Sequence, residues 1–224
     1  MVKNYKFLNF ITSMFVAVLL ISNIASTKIV EFGVFTFDAG TLLFPLSYII
    51  GDILTEVYGF QETRKAIWIG FLSAAFAAFV IWLVGILPPA AEWTNQESYN
   101  IILGTNPRIV LGSLTAYFIG SLSNSIALSK MKILTKGKHL WFRTIGSTVI
   151  GEAADTFIFI LIAFFGVFSN SLLLSIFISN YIFKVLFEVV ITPITYRIVY
   201  FLKKSENIDV YDTNVSYNPF LSLK

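Results

Sequence analysis

The sequence has no cysteine, one histidine and few charges, with Asp, Glu, Lys and Arg making up 13% of its 224 residues. Without cysteine there is no disulfide, no thiolate metal site and no cysteine nucleophile. The lone His139 stands in a basic stretch beside Trp141, which excludes a Ser-His-Asp triad at membrane depth and any histidine-based metal centre. No Walker-type glycine loop is present, so the chain cannot use ATP by itself. No Gly-x-Gly-Asp sequence points to an intramembrane aspartyl protease. The sequence therefore assigns no catalytic residue, no metal ligand and no cofactor. Six prolines and thirteen glycines give no low-complexity linker that would divide the chain.

What is there is apolar. Hydrophobic residues make up 56% of the chain, and the mean hydropathy of +0.78 is far above that of a soluble domain. A membrane-spanning helix needs about 20 apolar residues. Six such runs are predicted: Phe7 to Thr27, Thr41 to Tyr58, Ala66 to Leu87, Ile109 to Leu128, Ile145 to Phe165 and Leu172 to Ile191. The second is the shortest and the richest in polar residues. The last is expected to continue past Pro193 towards Leu202 with a kink. The connection from Pro88 to Arg108 holds Glu92, Trp93, Glu97 and Tyr99, which suits a loop or a short interfacial helix with aromatic anchors. The apolar run after Lys6 is too long for a cleavable signal, and no small-residue cleavage site follows a short core. The expectation is an all-α integral membrane domain over 1–204 and a polar, solvated cytoplasmic tail over 205–224.

Basic residues set the expected orientation. With the N-terminus inside, thirteen of the sixteen Lys and Arg residues fall in cytoplasmic segments, only Lys28 and Arg108 fall outside, and Lys184 is within a span. The positive-inside rule then puts both termini in the cytoplasm. The net charge of +3 belongs to these loops and not to a nucleic-acid surface.

A short internal similarity accompanies this pattern. Ser22-Asn23 with Ser26 and Lys28 is matched by Ser123-Asn124 with Ser129 and Lys130. Gly51-Asp52 with Thr55-Glu56 is matched by Gly151-Glu152 with Asp155-Thr156. Three spans separate the copies, and an odd number reverses orientation, which suggests two inverted three-helix repeats.

The candidate site comes from charges inside the spans. Burying one costs at least ~2.5–3.5 kcal/mol, so such groups face a bundle interior or a wet cavity. Glu152 and Asp155 share a helix face, as do Asp52 with Glu56 and Lys184 with Glu188. Each set reads either as a structural ion pair or as part of a substrate site. At ~1.5 Å per residue, Asp52, Asp155 and Lys184 fall near the bilayer midplane, with Glu56, Glu152 and Glu188 on its cytoplasmic side. Asn180, Lys184, Glu188 and Thr192 form one polar stripe that must face protein or water. Five acids oppose one buried base, so some must be protonated, paired with Arg64 or Arg143, or waiting for a cation or hydrogen-bond donor. Lys184 with Glu188 reads as a structural pair, and Asp155 and Asp52 as the better ligand contacts. Phe44, Tyr48, Tyr117 or Tyr181 could stack on a planar ligand. Gly112, Ala116, Gly120 and Asn124 repeat every four residues, which suits internal helix packing more than a dimer interface; a homo-oligomer stays open.

The residues also resemble a known family, the bacterial queuosine precursor transporters, described as vitamin-uptake-transporter-like. The resemblance runs through Ser22-Asn23, through Gly51 to Gly59 with Arg64-Lys65, and through Pro107-Arg108 and Ser113 to Tyr117 with Gly120. It ends with Ser147 to Phe165 and Asn180 to Leu186. Asp52, Asp155 and Lys184 match its pattern; Glu56 and Glu152 stand where other members carry other residues. The resemblance implies six helices in the bacterial inner membrane that import 7-deazaguanine bases such as preQ0 and preQ1 for tRNA queuosine salvage. It implies a substrate site drawn from Asp52, Asp155, Lys184, Asn180, Glu152, Glu56, Glu188, Asn124 and Asn23. The alternative is the substrate-binding subunit of an energy-coupling-factor vitamin importer, which would need a separate ATPase module. That class often has small residues at four-residue spacing in its first helix; here Ile21 interrupts Ala17 and Ala25.

Overall fold

A computed structural model of the chain describes residues 5–32, 35–104 and 107–223. Helix α1 (Leu8–Ala25) leads into a short antiparallel hairpin, β1 (Ile29–Phe32) and β2 (Phe35–Asp38), with Ile29 opposite Asp38. A 3-10 turn (Ala39–Leu42) then opens α2 (Phe44–Tyr58), which Gly59 joins to α3 (Phe60–Gly85). The short α4 (Gln96–Leu103) precedes α5 (Pro107–Leu134), α6 (Leu140–Phe164) and the long α7 (Asn170–Glu206). The described residues contain six helices long and apolar enough to cross a membrane, and the protein is a multi-pass membrane protein. The hairpin was not anticipated, whereas the connection between the third and fourth spans, expected to be a loop or a short helix, holds α4. Pro193 lies inside α7, which remains one helix to Glu206.

Helix α2 is the axis of the bundle. Of its candidate span 72% is buried, against 17% for α1 and 11% for α7. This explains its composition. A helix walled in by protein on every side needs no lipid-facing stripe, so Ser47, Asp52, Thr55 and Glu56 can all be buried on it. Phe15 and Leu19 of α1, Ile67 of α3 and Tyr117 of α5 pack around α2 in the main apolar cluster. Large apolar side chains such as Phe76, Phe79 and Trp82 of α3 face outward, as lipid contact requires.

The α5 stripe of small residues packs against α6. A Cβ on Gly120 would come within 3.1 Å of the Gly151 carbonyl oxygen and 2.7 Å of Asp155 Cβ, and one on Gly112 within 3.4 Å of Ala163 N. This close approach sets α6, and with it Glu152 and Asp155, against α5.

The expectation of a solvated C-terminal tail is corrected by the structure. Residues 207–221 fold back over the end of the bundle where Lys and Arg collect. Asp212 accepts from Phe60 N (2.9 Å) and Ser129 Oγ (2.6 Å), Arg64 donates to the carbonyls of Ser216 and Asn218, and Trp68 Nε1 donates to the carbonyl of Pro219. The physical reason is the α2–α3 turn. Gly59 has φ +84° and leaves the first N–H groups of α3 in need of an acceptor, which Asp212 supplies. At the same end, Glu206 of α7 accepts from Lys6 N, Phe7 N and Tyr58 Oη, tying the start of α1 to the close of the chain.

Candidate functional site

The polar residues of the interior sort into three groups. The first borders a cavity of about 120 Å³ lined by residues that include Asn23, Phe44, Asp155, Thr156, Asn180 and Lys184. It lies towards the end of the bundle opposite the basic one, between the close of α1, the start of α2 and the facing turns of α5, α6 and α7. Lys184 Nζ is 2.7 Å from Asp155 Oδ2 and 2.8 Å from Glu152 Oε2, and 4.9 Å from the centre of the Phe44 ring. Glu152 is fully buried behind this pair, while Asp155 keeps slight exposure. Asn180 Nδ2 donates to the Ile176 carbonyl, leaving its side-chain oxygen for the cavity. Two acids face one base here, so the cavity carries a surplus acceptor set.

The expected Lys184–Glu188 structural pair is therefore corrected. Lys184 reaches across to α6 and not along its own helix, because Glu152 and Asp155 both point at it from the neighbouring helix. Thr41, Ser113, Thr156 and Phe159 also line the cavity and were not among the residues expected to bind substrate. No charge marks them; only the tertiary contact does.

The second group sits deeper. Asn124 Nδ2 donates to Asp52 Oδ1 at 2.6 Å. Asp52 Oδ2 and both carboxylate oxygens of Glu188 are buried without a hydrogen-bond partner, as are Tyr48 Oη and Asn124 Oδ1. None of Asp52, Asn124 and Glu188 lines the cavity. Tyr48 and Asn124 instead border a water-sized void with Gly51, Ser121 and Ser125.

The third group lies at the basic end. Glu56 Oε1 is 2.8 Å from Arg143, 2.6 Å from Lys203 and 3.6 Å from Lys132. Lys132 also donates to the carbonyls of Glu56 and Val210 and to Asp209 Oδ1. Asp209 lies partly in solvent. Burial pushes its carboxyl up, but hydrogen bonds from Lys132 and Lys203 outweigh that and hold it below the usual carboxylate range. Of the two arginines expected to neutralise buried acid, Arg143 does so for Glu56, and Arg64 holds the C-terminal segment. Glu56 is thus a structural counter-charge remote from the cavity.

Among the aromatic candidates, Phe44 lines the cavity. Tyr48 lies beside the smaller void, Tyr117 donates to the Ile67 carbonyl inside the core, and Tyr181 stacks on Phe177 and donates to Val149.

Residues 38–198 match the family described as "Putative vitamin uptake transporter". The chain is 33% identical over 176 residues to the "Probable queuosine precursor transporter" of Bacillus subtilis strain 168, covering 78% of this chain and 77% of that one. It is 29% identical to the protein of the same name from Haemophilus influenzae over 56% of this chain and 51% of that one. It is 23% identical to the "Queuosine precursor transporter" of Escherichia coli K12 over 67% of each. No solved structure matches. The six spans and these relatives define a membrane transporter of small molecules and not an enzyme. The chain belongs to the vitamin-uptake-transporter family, and every cavity-lining residue except Asn23 and Ser26 falls within the matched region.

Proposed function

We propose that this protein is a secondary carrier importing 7-deazaguanine queuosine precursors, such as preQ0 and preQ1, across the bacterial inner membrane for tRNA queuosine salvage. Both termini would lie in the cytoplasm. The observation that carries the reading is the Lys184–Asp155 pair at the wall of a cavity that Phe44 and Asn180 also line. At about 120 Å³ it is below the ~300 Å³ of drug-sized pockets, which suits a bare base and not a nucleoside.

Asp155 reads the donor edge of the base, its carboxylate accepting the N1 and N2 protons together. Lys184, released in part from Asp155, turns to the ring carbonyl with Asn180, and Phe44 supplies a stacking face. Glu152 remains to balance Lys184. The surplus acid favours a cationic aminomethyl substituent, while the neutral nitrile needs only the carboxylate that reads the donors. Asp52, once an equal candidate for that role, stands outside the cavity, and so do Glu56 and Glu188.

The test is uptake of labelled base by cells unable to make queuosine. Asp155→Asn loses a charge-assisted double contact worth about 3 kcal/mol, a fall of roughly 100-fold in affinity, with the protein still in the membrane. Unchanged uptake would remove Asp155 from the site. An energy-coupling-factor subunit would instead copurify with an ATPase; Ile21, which interrupts the small residues of α1, is 56% exposed.

A further inference from the structure

The transport reading leaves unused the most anomalous part of the interior. Asp52 is 0% exposed and Glu188 is 1% exposed, and among the described residues neither has a cation at ion-pair distance. Lys184 is committed to Glu152 and Asp155, and Glu56 engages Arg143, Lys132 and Lys203. Of the four carboxylate oxygens on Asp52 and Glu188, only Asp52 Oδ1 has a partner, Asn124 Nδ2. Helices α2 and α7, which carry the two acids, pack directly on each other.

Two ionised carboxylates cannot persist in this arrangement. Each would be buried without a counter-ion, at a cost of several kcal/mol, and each would repel the other. One proton removes both problems. It leaves a single negative charge where there would be two. The surroundings offer no other remedy. On α2 Glu56 is occupied by its cations and Tyr48 Oη is unpartnered; α6 brings Glu152 and Asp155 with their shared Lys184; α5 brings Asn124 and Tyr117, the latter bonded to Ile67. The buried residues of α1 are Phe15, Leu19 and Ser22, and the buried cation of α3, Arg64, serves the C-terminal segment.

We propose that Asp52 and Glu188 share one proton, forming a proton-binding site separate from the substrate cavity. A metal cation fits the space poorly. The void beside Asn124 measures about 10 Å³, near the minimum for one water, and hard cations take six or more oxygens. No metal-holding cluster of acidic, histidine or cysteine residues occurs among the described residues. Tyr48 ties the proton site to the cavity. A Cβ on Gly120 would meet both its hydroxyl and the Asp155 Cβ, and one on Gly151 would meet its ring and the Asn124 Cβ, and it borders the void with Asn124. Tyr48 is thus the residue through which a charge change at Asp155 would reach the Asp52–Glu188 pair, and buried ionisable groups of this kind serve as proton relays in transporters.

The proton site stands on its own geometry, while its coupling to uptake rests on the transport reading above. Two measurements separate them. The infrared carbonyl stretch of a protonated carboxylic acid is recorded at neutral pH in purified full-length protein, in Asp52→Asn and in Glu188→Gln. A shared proton predicts a band in the parent that shifts or disappears in both variants, because each substitution removes one of the two carboxyls that hold the proton. No band in the parent, or a band that either substitution leaves unaltered, overturns the site. The second measurement is accumulation of labelled 7-deazaguanine base in proteoliposomes with the membrane potential clamped at zero. One proton per substrate gives up to about tenfold accumulation per pH unit, since a unit is worth ~1.36 kcal/mol. Glu188→Gln is expected to bind base within about threefold of the parent yet only to equilibrate it. Equal accumulation in parent and Glu188→Gln, equilibration by the parent alone, or dependence on a sodium gradient at fixed pH overturns the coupling. A parent that shows the band and binds no base sinks the substrate reading and leaves the proton site standing.

Discussion

Glu56→Gln separates a structural ion cluster from a binding residue. Glu56 is fully buried and holds Arg143 at 2.8 Å, Lys203 at 2.6 Å and Lys132 at 3.6 Å. Gln keeps the shape and a carbonyl oxygen but not the charge, leaving three cations opposed only by Asp209. Stripping one partner from a buried ion pair costs ~3–5 kcal/mol. Lys203 and Asp209 are partly exposed, so water recovers some of this, and about 3 kcal/mol is expected. For a chain of this size that is roughly 10 °C in melting temperature, at ~2–4 °C per kcal/mol. The built-in control is Glu62→Gln. Lys65–Glu62 has the same 2.8 Å separation, but its side chains are 53% and 23% exposed, so its loss should cost under ~1 kcal/mol. Thermal unfolding in detergent reads both, and precursor uptake at a permissive temperature should survive in both. Equal shifts in the two variants, or a Glu56→Gln shift below about 2 °C, would refute the argument from burial.

Gly120→Ala places a Cβ against Tyr48 Oη and 2.7 Å from Asp155 Cβ; overpacking of ~1–3 kcal/mol should lower the melting temperature and weaken substrate binding together. Asp212→Ala removes the acceptor for Phe60 N and Ser129 Oγ and leaves a buried N–H unpaired, costing ~1–3 kcal/mol; limited proteolysis should then cleave residues 207–221 in the variant and spare the parent. Asp209 is held below its ordinary range by Lys132 and Lys203 after burial has pushed it up. Its contribution is present above the unfolded value of ~3.9 and lost as pH falls through the lower folded value. Melting temperature followed from pH 6 down to 3 should fall more steeply for the parent than for Asp209→Asn.

The sequence by itself determined the membrane class, six spans and the family, because the signal for a span is length and apolarity, both local. Local reasoning also picked out the buried charges, since a carboxylate within an apolar run is anomalous wherever it points. It did not assign partners. Glu152, Asp155, Glu56 and Glu188 look alike in the sequence, yet Lys184 takes the first two, three basic residues take the third, and Glu188 has none. Pairing depends on which helix faces overlap, and that overlap is set by contacts such as Gly120 against Gly151, one turn of α5 from the hydrogen bond that Asn124 makes to Asp52 on another helix. The last stretch of the chain is the clearest instance. Its polarity reads as solvation, but Asp209 and Asp212 are polar because they meet lysines and free N–H groups that only the folded bundle gathers in one place. Composition fixed what had to be buried, and long-range packing decided beside what.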